Sequence, residues 1–162
     1  MPERLIIANT SPLFYLHQVG HLGILRVLYG HIVIPPAVEA EIRAGSEAGL
    51  SVPDIAQAEW IEDKAVRSRQ LVPVVVDLGP GEAEVLALGV ECPGSLLILD
   101  DRLGRRVAHL NSLTYTGTLG VLIKAKQAGH VRSIRAIIQD LRGAGLWLTD
   151  DLVDMILEQA NE

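Results

Sequence analysis

Leu96-Leu97-Ile98-Leu99-Asp100-Asp101-Arg102 is the stretch that decides the fold class. Four consecutive apolar residues predict an interior strand covered on both faces, the pattern of a parallel sheet. The two carboxylates then fall at the carboxyl end of that strand. In open α/β sheets ligands bind outside that edge. Arg102, Arg105 and Arg106 follow at once, so negative and positive charge share one strand-to-helix turn. That arrangement suits a cation held against a phosphate.

Strands and helices alternate on either side of this stretch. Leu5 to Ala8 reads as a first buried strand, and Asn9-Thr10-Ser11-Pro12 as a turn into a helix with Pro12 at its first position. Leu13, Leu16, Val19, Leu22, Leu25 and Leu28 recur at near-helical spacing, broken at Gly20. Ile32 to Ile34 predicts a second strand, and Pro35-Pro36 opens a helix that runs to about Arg43. The segment from Gly45 to Pro53 reads as a loop, Ile55 to Trp60 as a short helix and Trp60 to Val66 as a strand. Val72 to Val76 has strand propensity interrupted by Pro73. Gly79-Pro80-Gly81 is a turn into the helix Glu82 to Gly89, and Leu103 to Leu110 is the helix after the opening strand. Leu113 to Tyr115 predicts a last strand, and Thr116-Gly117-Thr118 caps a helix reaching about Gln127. Helices then follow from Ser133 and, after the N-cap residue Thr149, from Asp150. This order predicts βαβ units and a mostly parallel sheet.

Length fits one domain with a real core, and 49% hydrophobic residues exclude a disordered chain. Cys92 is the only cysteine, so no internal disulfide can form, which favours a cytoplasmic setting. Met1 to Arg4 carries an acid and a base before a short apolar run, which is not a signal-peptide pattern. No apolar run approaches the length of a membrane span, and no membrane partner is expected. Aromatic residues are scarce, so stacking on single-stranded bases is not an obvious mode of binding. The formal charge of −6 argues at first against nucleic acid. Its distribution argues otherwise: Arg102 to Arg135 contains seven of the fourteen basic residues and no acid, while the rest carries twenty acids against seven bases. Such asymmetry builds a positive face beside an acidic pocket.

The candidate acids are Glu41, Glu82, Glu84, Asp100 and Asp101, each at or just past a predicted strand end or helix start. Clustered carboxylates repel unless a cation sits among them, and oxygen-only donors favour Mg²⁺ or Mn²⁺ over zinc. Each acid also has an ordinary reading. Glu82 and Glu84 suit a helix N-terminus, Glu41 is a polar position on an amphipathic helix, and Asp101 is an N-cap.

The order of segments resembles a known family. Asn9-Thr10-Ser11-Pro12-Leu13, Ile34-Pro35-Pro36-Ala37-Val38-Glu39-Ala40-Glu41 and Gly79-Pro80-Gly81-Glu82-Ala83-Glu84 look like its successive motifs. So do Leu97 to Arg102, Gly104-Arg105-Arg106-Val107-Ala108 and Thr116 to Leu122. Together they resemble the PIN-domain proteins, within them a prokaryotic, toxin-like branch. The resemblance implies a three-layer α/β/α sandwich: a single PIN-like domain over residues 1–162, with C-terminal helices over 133–160 packed on it. It also implies a Mg²⁺- or Mn²⁺-dependent endoribonuclease, often the toxin of a toxin–antitoxin pair. Carried over, the metal positions fall on Asn9, Glu41, Glu82 and Asp101 with Asp100 beside the last; Glu41, Glu82 and Asp101 would be catalytic. Thr10, Ser11 and Thr118 would be polar neighbours, with Glu84 the fallback for Glu82. Arg102, Arg105, Arg106 and Lys124 would hold RNA phosphates.

One residue departs from the family pattern. Asn9 stands where an Asp is expected, so the pocket lacks one formal charge and metal affinity should fall. The alternative is therefore a degenerate PIN-like module that binds RNA or a partner without cutting it. The apolar stripe Leu152, Val153, Ile156 and Leu157 reads first as packing within the domain, with a homodimer or antitoxin contact as the other reading. Other chemistries fit poorly. His17 and His21 have zinc-like spacing without a third ligand, and Gly117-Thr118-Leu119-Gly120 lacks the lysine and spacing of a P-loop. No Gly-x-Ser-x-Gly elbow occurs. A phosphoacceptor domain would need an acid pair after the first strand, and this chain has none there.

Overall fold

The computed structural model describes residues 4–73 and 75–162. Met1 to Glu3 of the N-terminal reading, and Val74 within the Val72 to Val76 segment, lie outside the described residues. Five strands, β1 (Ile6–Ala8), β2 (Ile32–Ile34), β3 (Ile61–Asp63), β4 (Leu96–Ile98) and β5 (Thr114–Thr116), form one sheet. Every pairing is parallel, in the order β3-β2-β1-β4-β5. The helices are α1 (Thr10–Gln18), α2 (Gly23–Tyr29), α3 (Pro36–Glu47), α4 (Pro80–Glu91), α5 (Arg102–Leu110), α6 (Thr118–Gln127), α7 (Arg135–Gly143) and α8 (Asp150–Gln159). The fold is a three-layer α/β/α sandwich. Helix α3 packs on α4 and α4 on α5, while α2 packs on α6 and α6 on α8.

The short strands β1, β2 and β4 are buried at every position, as their unbroken apolar runs require. They join one hydrophobic cluster that also takes in Ile134, Ile138 and Leu141 from the α7 region and Ile156 and Leu157 from α8. Strand order reverses at β1. The chain moves from β1 to β2 and β3 on one side, then crosses back to β4 and β5 on the other. Such a switch point leaves a crevice outside the carboxyl ends of the two central strands. Here those strands are β1 and β4, and the Asn9 N–H donates to the Ile98 carbonyl at 2.9 Å.

Several boundaries differ from the sequence expectation. Helix α1 begins at Thr10, with Asn9 as N-cap and Pro12 at the third helical position. The Thr10 hydroxyl is engaged by Glu41 and does not cap its own helix. Helix α3 continues through Gly45 to Glu47, and Gly45 packs closely on Val52: a methyl group on it would lie 3.1 Å from Val52 Cγ1. A short 3₁₀ turn at Arg69–Leu71 precedes the Val72 to Val76 segment, and no strand is found among the described residues of that segment. Helix α7 starts at Arg135, two residues late, because Ser133 and the Ile134 N–H are both bound by Glu162.

Candidate active site

The crevice between β1 and β4 is floored by Asn9. It is 1% exposed, and its side chain makes no capping bond to α1. Its Nδ2 donates to Glu82 Oε1 at 3.3 Å. Among the described residues, Asn9 Oδ1 is buried without any hydrogen-bond partner. An orphaned buried carbonyl oxygen costs roughly 1–3 kcal/mol, so its retention asks for an explanation.

Glu82 sits in the first turn of α4, where the positive end of the helix dipole favours a carboxylate. Its side chain curls back against Gly79, the N-cap of the same helix. Glu41 reaches the crevice from α3. The Thr10 hydroxyl donates to its Oε1 at 3.2 Å. Its carboxylate lies on the backbone of Gly81, in space that any Cβ at that position would fill. Burial pushes the Glu41 carboxyl above its ordinary range, against the lowering bonds from Thr10 and the Gly81 N–H, and the charges of Glu82 and Glu84 push it further. Two carboxylates from distant segments are therefore held close enough to repel.

Glu84 has a different task. It is 7% exposed; its Oε2 accepts the Ala37 N–H at 3.2 Å and its Oε1 meets Arg69 Nη1 at 3.3 Å. Ala37 is in the first turn of α3, so Glu84 satisfies a helix terminus and ties α4 to α3. The structure thus turns Glu82, and not Glu84, toward Asn9.

The paired aspartates diverge. Asp101 caps α5, accepting the Gly104 N–H at 2.7 Å. Asp100 faces the other way and binds the Thr118 N–H at 2.7 Å and its hydroxyl at 2.6 Å, fixing the start of α6. Thr118 is fully buried there. Gly104 is packed most closely by Leu99, with Asp101 and Glu82 at ordinary contact distance beyond it. A methyl group at Gly104 would stand 3.4 Å from Asp101 Oδ2 and 3.6 Å from Glu82 Cγ, and only 2.7 Å from Leu99 Cδ1. Ser11, half-buried, follows Thr10 on α1.

The basic candidates divide as well. Arg102, Arg105 and Arg106 are exposed on α5, which starts at the crevice, and Arg105 lies over the Tyr115 ring at 5.2 Å. Lys124 does not join them. It lies over the Tyr29 ring at 4.6 Å, in a cavity of about 340 Å³ with Arg4, Leu5 and Leu96. That is the amino edge of β1 and β4, because α6 runs back along the sheet from its start at Thr118. The expectation that Lys124 sits with the α5 arginines is corrected accordingly. Gly81 and Gly117 were not singled out in the sequence as site residues, yet each marks where an acid presses on backbone, and Gly104 is pressed instead by Leu99. Only Gly81, beside Glu82, and Gly104, three residues after Asp101, lie near a candidate acid in sequence; Gly117 carries no such local signal.

Among the described residues, no group of three or more His, Cys, Asp or Glu side chains forms a ready metal cage. The donors that do converge are oxygen-based: the unpartnered Asn9 Oδ1 and the Glu41 and Glu82 carboxylates; Asp101 is turned to its cap on Gly104. An unpaired amide oxygen among mutually repelling carboxylates fits a hard divalent cation.

A parallel α/β sandwich with acids gathered at its switch point defines the class of protein. A family model described as a PIN domain matches residues 5–162, and the chain belongs to the PIN-domain family. No curated protein and no solved structure gives a match. No helix among the described residues is long and apolar enough to cross a membrane.

Proposed function

We propose that this chain is a Mg²⁺- or Mn²⁺-dependent endoribonuclease whose centre is Asn9, Glu41, Glu82 and Asp101, with Asp100 fixing the adjoining turn. The observation that carries this reading is the buried, unpartnered Asn9 Oδ1 beside Glu82. The Asn9, Glu41, Glu82 and Asp101 oxygens would hold the ion, which when bound supplies charge neutralisation at a phosphodiester and acidifies water. The chain's own groups do the rest. Thr10 orients Glu41 through its Oε1. Asp101 holds the start of α5 and Asp100 that of α6; the exposed Arg102, Arg105 and Arg106 of α5 would take the flanking phosphates. The role of toxin in a toxin–antitoxin pair rests on the resemblance alone and is tested by growth arrest on induced expression.

Asn9 also favours a second reading. As a neutral amide it donates to Glu82 and brings no charge, so the domain would bind RNA or a partner without turnover. Wild type and Asn9→Asp compared for Mn²⁺ binding and for cleavage of a broad RNA panel separate the two. Divalent-dependent cleavage by the wild type supports the nuclease. Cleavage confined to the variant supports the degenerate module, and cleavage by neither removes the enzyme reading.

A further inference from the structure

Beside the candidate centre a groove of about 470 Å³ runs from Asp100 to the C-terminal helix. Arg105 and Tyr115 line one side, Met155 and Gln159 of α8 the other, and Trp147 stands at it. Trp147 is 84% exposed and Met155 48%, so a large indole and a thioether are left in water at this groove. We propose that this groove takes an unstacked base of single-stranded RNA flanking the scissile phosphate, with Trp147 as the stacking platform. The inference rests on the ribonuclease reading and names where its substrate is recognised.

Two features orient the occupant. The cationic side is α5, where Arg105 is already positioned over Tyr115 and Arg102 and Arg106 are exposed nearby. The α8 side offers apolar groups and the Gln159 carboxamide, while Asp151, Asp154 and Glu158 of the same helix are absent from the lining. A polyanion backbone is therefore attracted to α5 and repelled from the acids of α8. The base, and not the phosphate, faces α8. The carboxamide can both donate to and accept from a base edge, and the indole accepts any base face. The groove reaches Asp100, the chain neighbour of Asp101, which sets it beside the proposed centre. Scarcity of aromatics in the sequence pointed away from stacking; the fold concentrates two of them at this one groove.

The test reads binding without cleavage. Labelled short single-stranded oligoribonucleotides are titrated in EDTA with wild type, Trp147→Ala, Trp147→Phe and Arg105→Ala, by anisotropy. Trp147 emission is followed in a Trp60→Phe background. The expected result is an affinity loss of about tenfold or more for Trp147→Ala, near-retention for Trp147→Phe, and quenching of Trp147 on binding. Arg105→Ala is expected to lower the slope of log affinity against log salt by about one. RNA binding that is intact and indifferent to Trp147 overturns the groove assignment and leaves the ribonuclease reading standing. A change in oligomeric size with Trp147→Ala at unaltered RNA affinity assigns the face to a second copy and also overturns it. No binding or cleavage by wild type and Asn9→Asp alike overturns both readings.

Discussion

Asn9 and Glu82 are separated by 73 positions in the chain, yet the Asn9 amide donates to the Glu82 carboxylate at 3.3 Å in the floor of the crevice. On the proposed nuclease reading, the amide is a compromise between a metal-free and a metal-filled site. Without an ion, a carboxylate at position 9 would stand unpaired against Glu82, in a place that is almost wholly buried. Asn9→Asp is therefore expected to destabilise the protein in chelator by about 1–3 kcal/mol, read as a drop of several degrees in Tm. With Mn²⁺ the sign reverses. The added charge should tighten the ion about tenfold or more, and the variant should gain more Tm from Mn²⁺ than the wild type does. Calorimetric titration with Mn²⁺ and paired melts check both halves.

Glu41 carries the same conflict from the other side. Burial, and then the charges of Glu82 and Glu84, raise its folded pKa, so the ionised form is less favourable in the folded chain than in the unfolded one. At neutral pH this subtracts from stability, and the loss disappears as pH falls through the folded pKa. Glu41→Gln should raise Tm in chelator at neutral pH. It should also weaken Mn²⁺ binding and abolish any cleavage. The Tm advantage should shrink as the melts are moved to lower pH.

The legible part of this molecule was the part written in consecutive residues. Leu96 to Leu99 gave the central strand because a fully buried parallel strand needs an unbroken apolar run. Glu41, Glu82 and Asp101 could be named because each follows a strand end or helix start, and the resemblance ordered them. Three things were not legible. Glu82 and Glu84 differ only by which way α4 turns them, and that depends on where the α3 terminus lies. Lys124 shares the acid-free segment with Arg102 and Arg105, yet α6 carries it to the opposite edge of the sheet. The need for glycine at position 81 arises from a side chain 40 residues upstream, which no local pattern encodes.

Glu82 and Glu84 make a paired test. Glu84→Ala removes the group that satisfies the Ala37 N–H and meets Arg69, so it should cost about 1–2 kcal/mol and lower Tm by a few degrees. Its Mn²⁺ affinity should change little. Glu82→Ala removes a partly exposed first-turn acid, so Tm in chelator should fall by less, while Mn²⁺ binding weakens about tenfold or more. Equal metal affinity in the two variants would overturn the assignment of Glu82 to the centre.

Glu162 sets a pH-dependent clasp on the far side of the core. Its carboxylate accepts the Ile134 N–H at 2.7 Å and the Ser133 hydroxyl at 2.6 Å, and meets Lys126 Nζ at 3.0 Å. Partial burial pushes its carboxyl upward, but these donors together with Arg135 outweigh that and bring it from 4.5 to about 2. A folded pKa below the unfolded one adds stability that is fully present above the ordinary carboxylate range. It is lost as pH falls from there toward about 2. Glu162→Gln should therefore melt lower than wild type at neutral pH by roughly 2–6 °C, for ~1–2 kcal/mol of charge-assisted bonding. Melts taken at successively lower pH should converge below about 4.5, the ordinary value for this group. A gap that stays constant across that range would mean that the clasp contributes through packing and not through its charge.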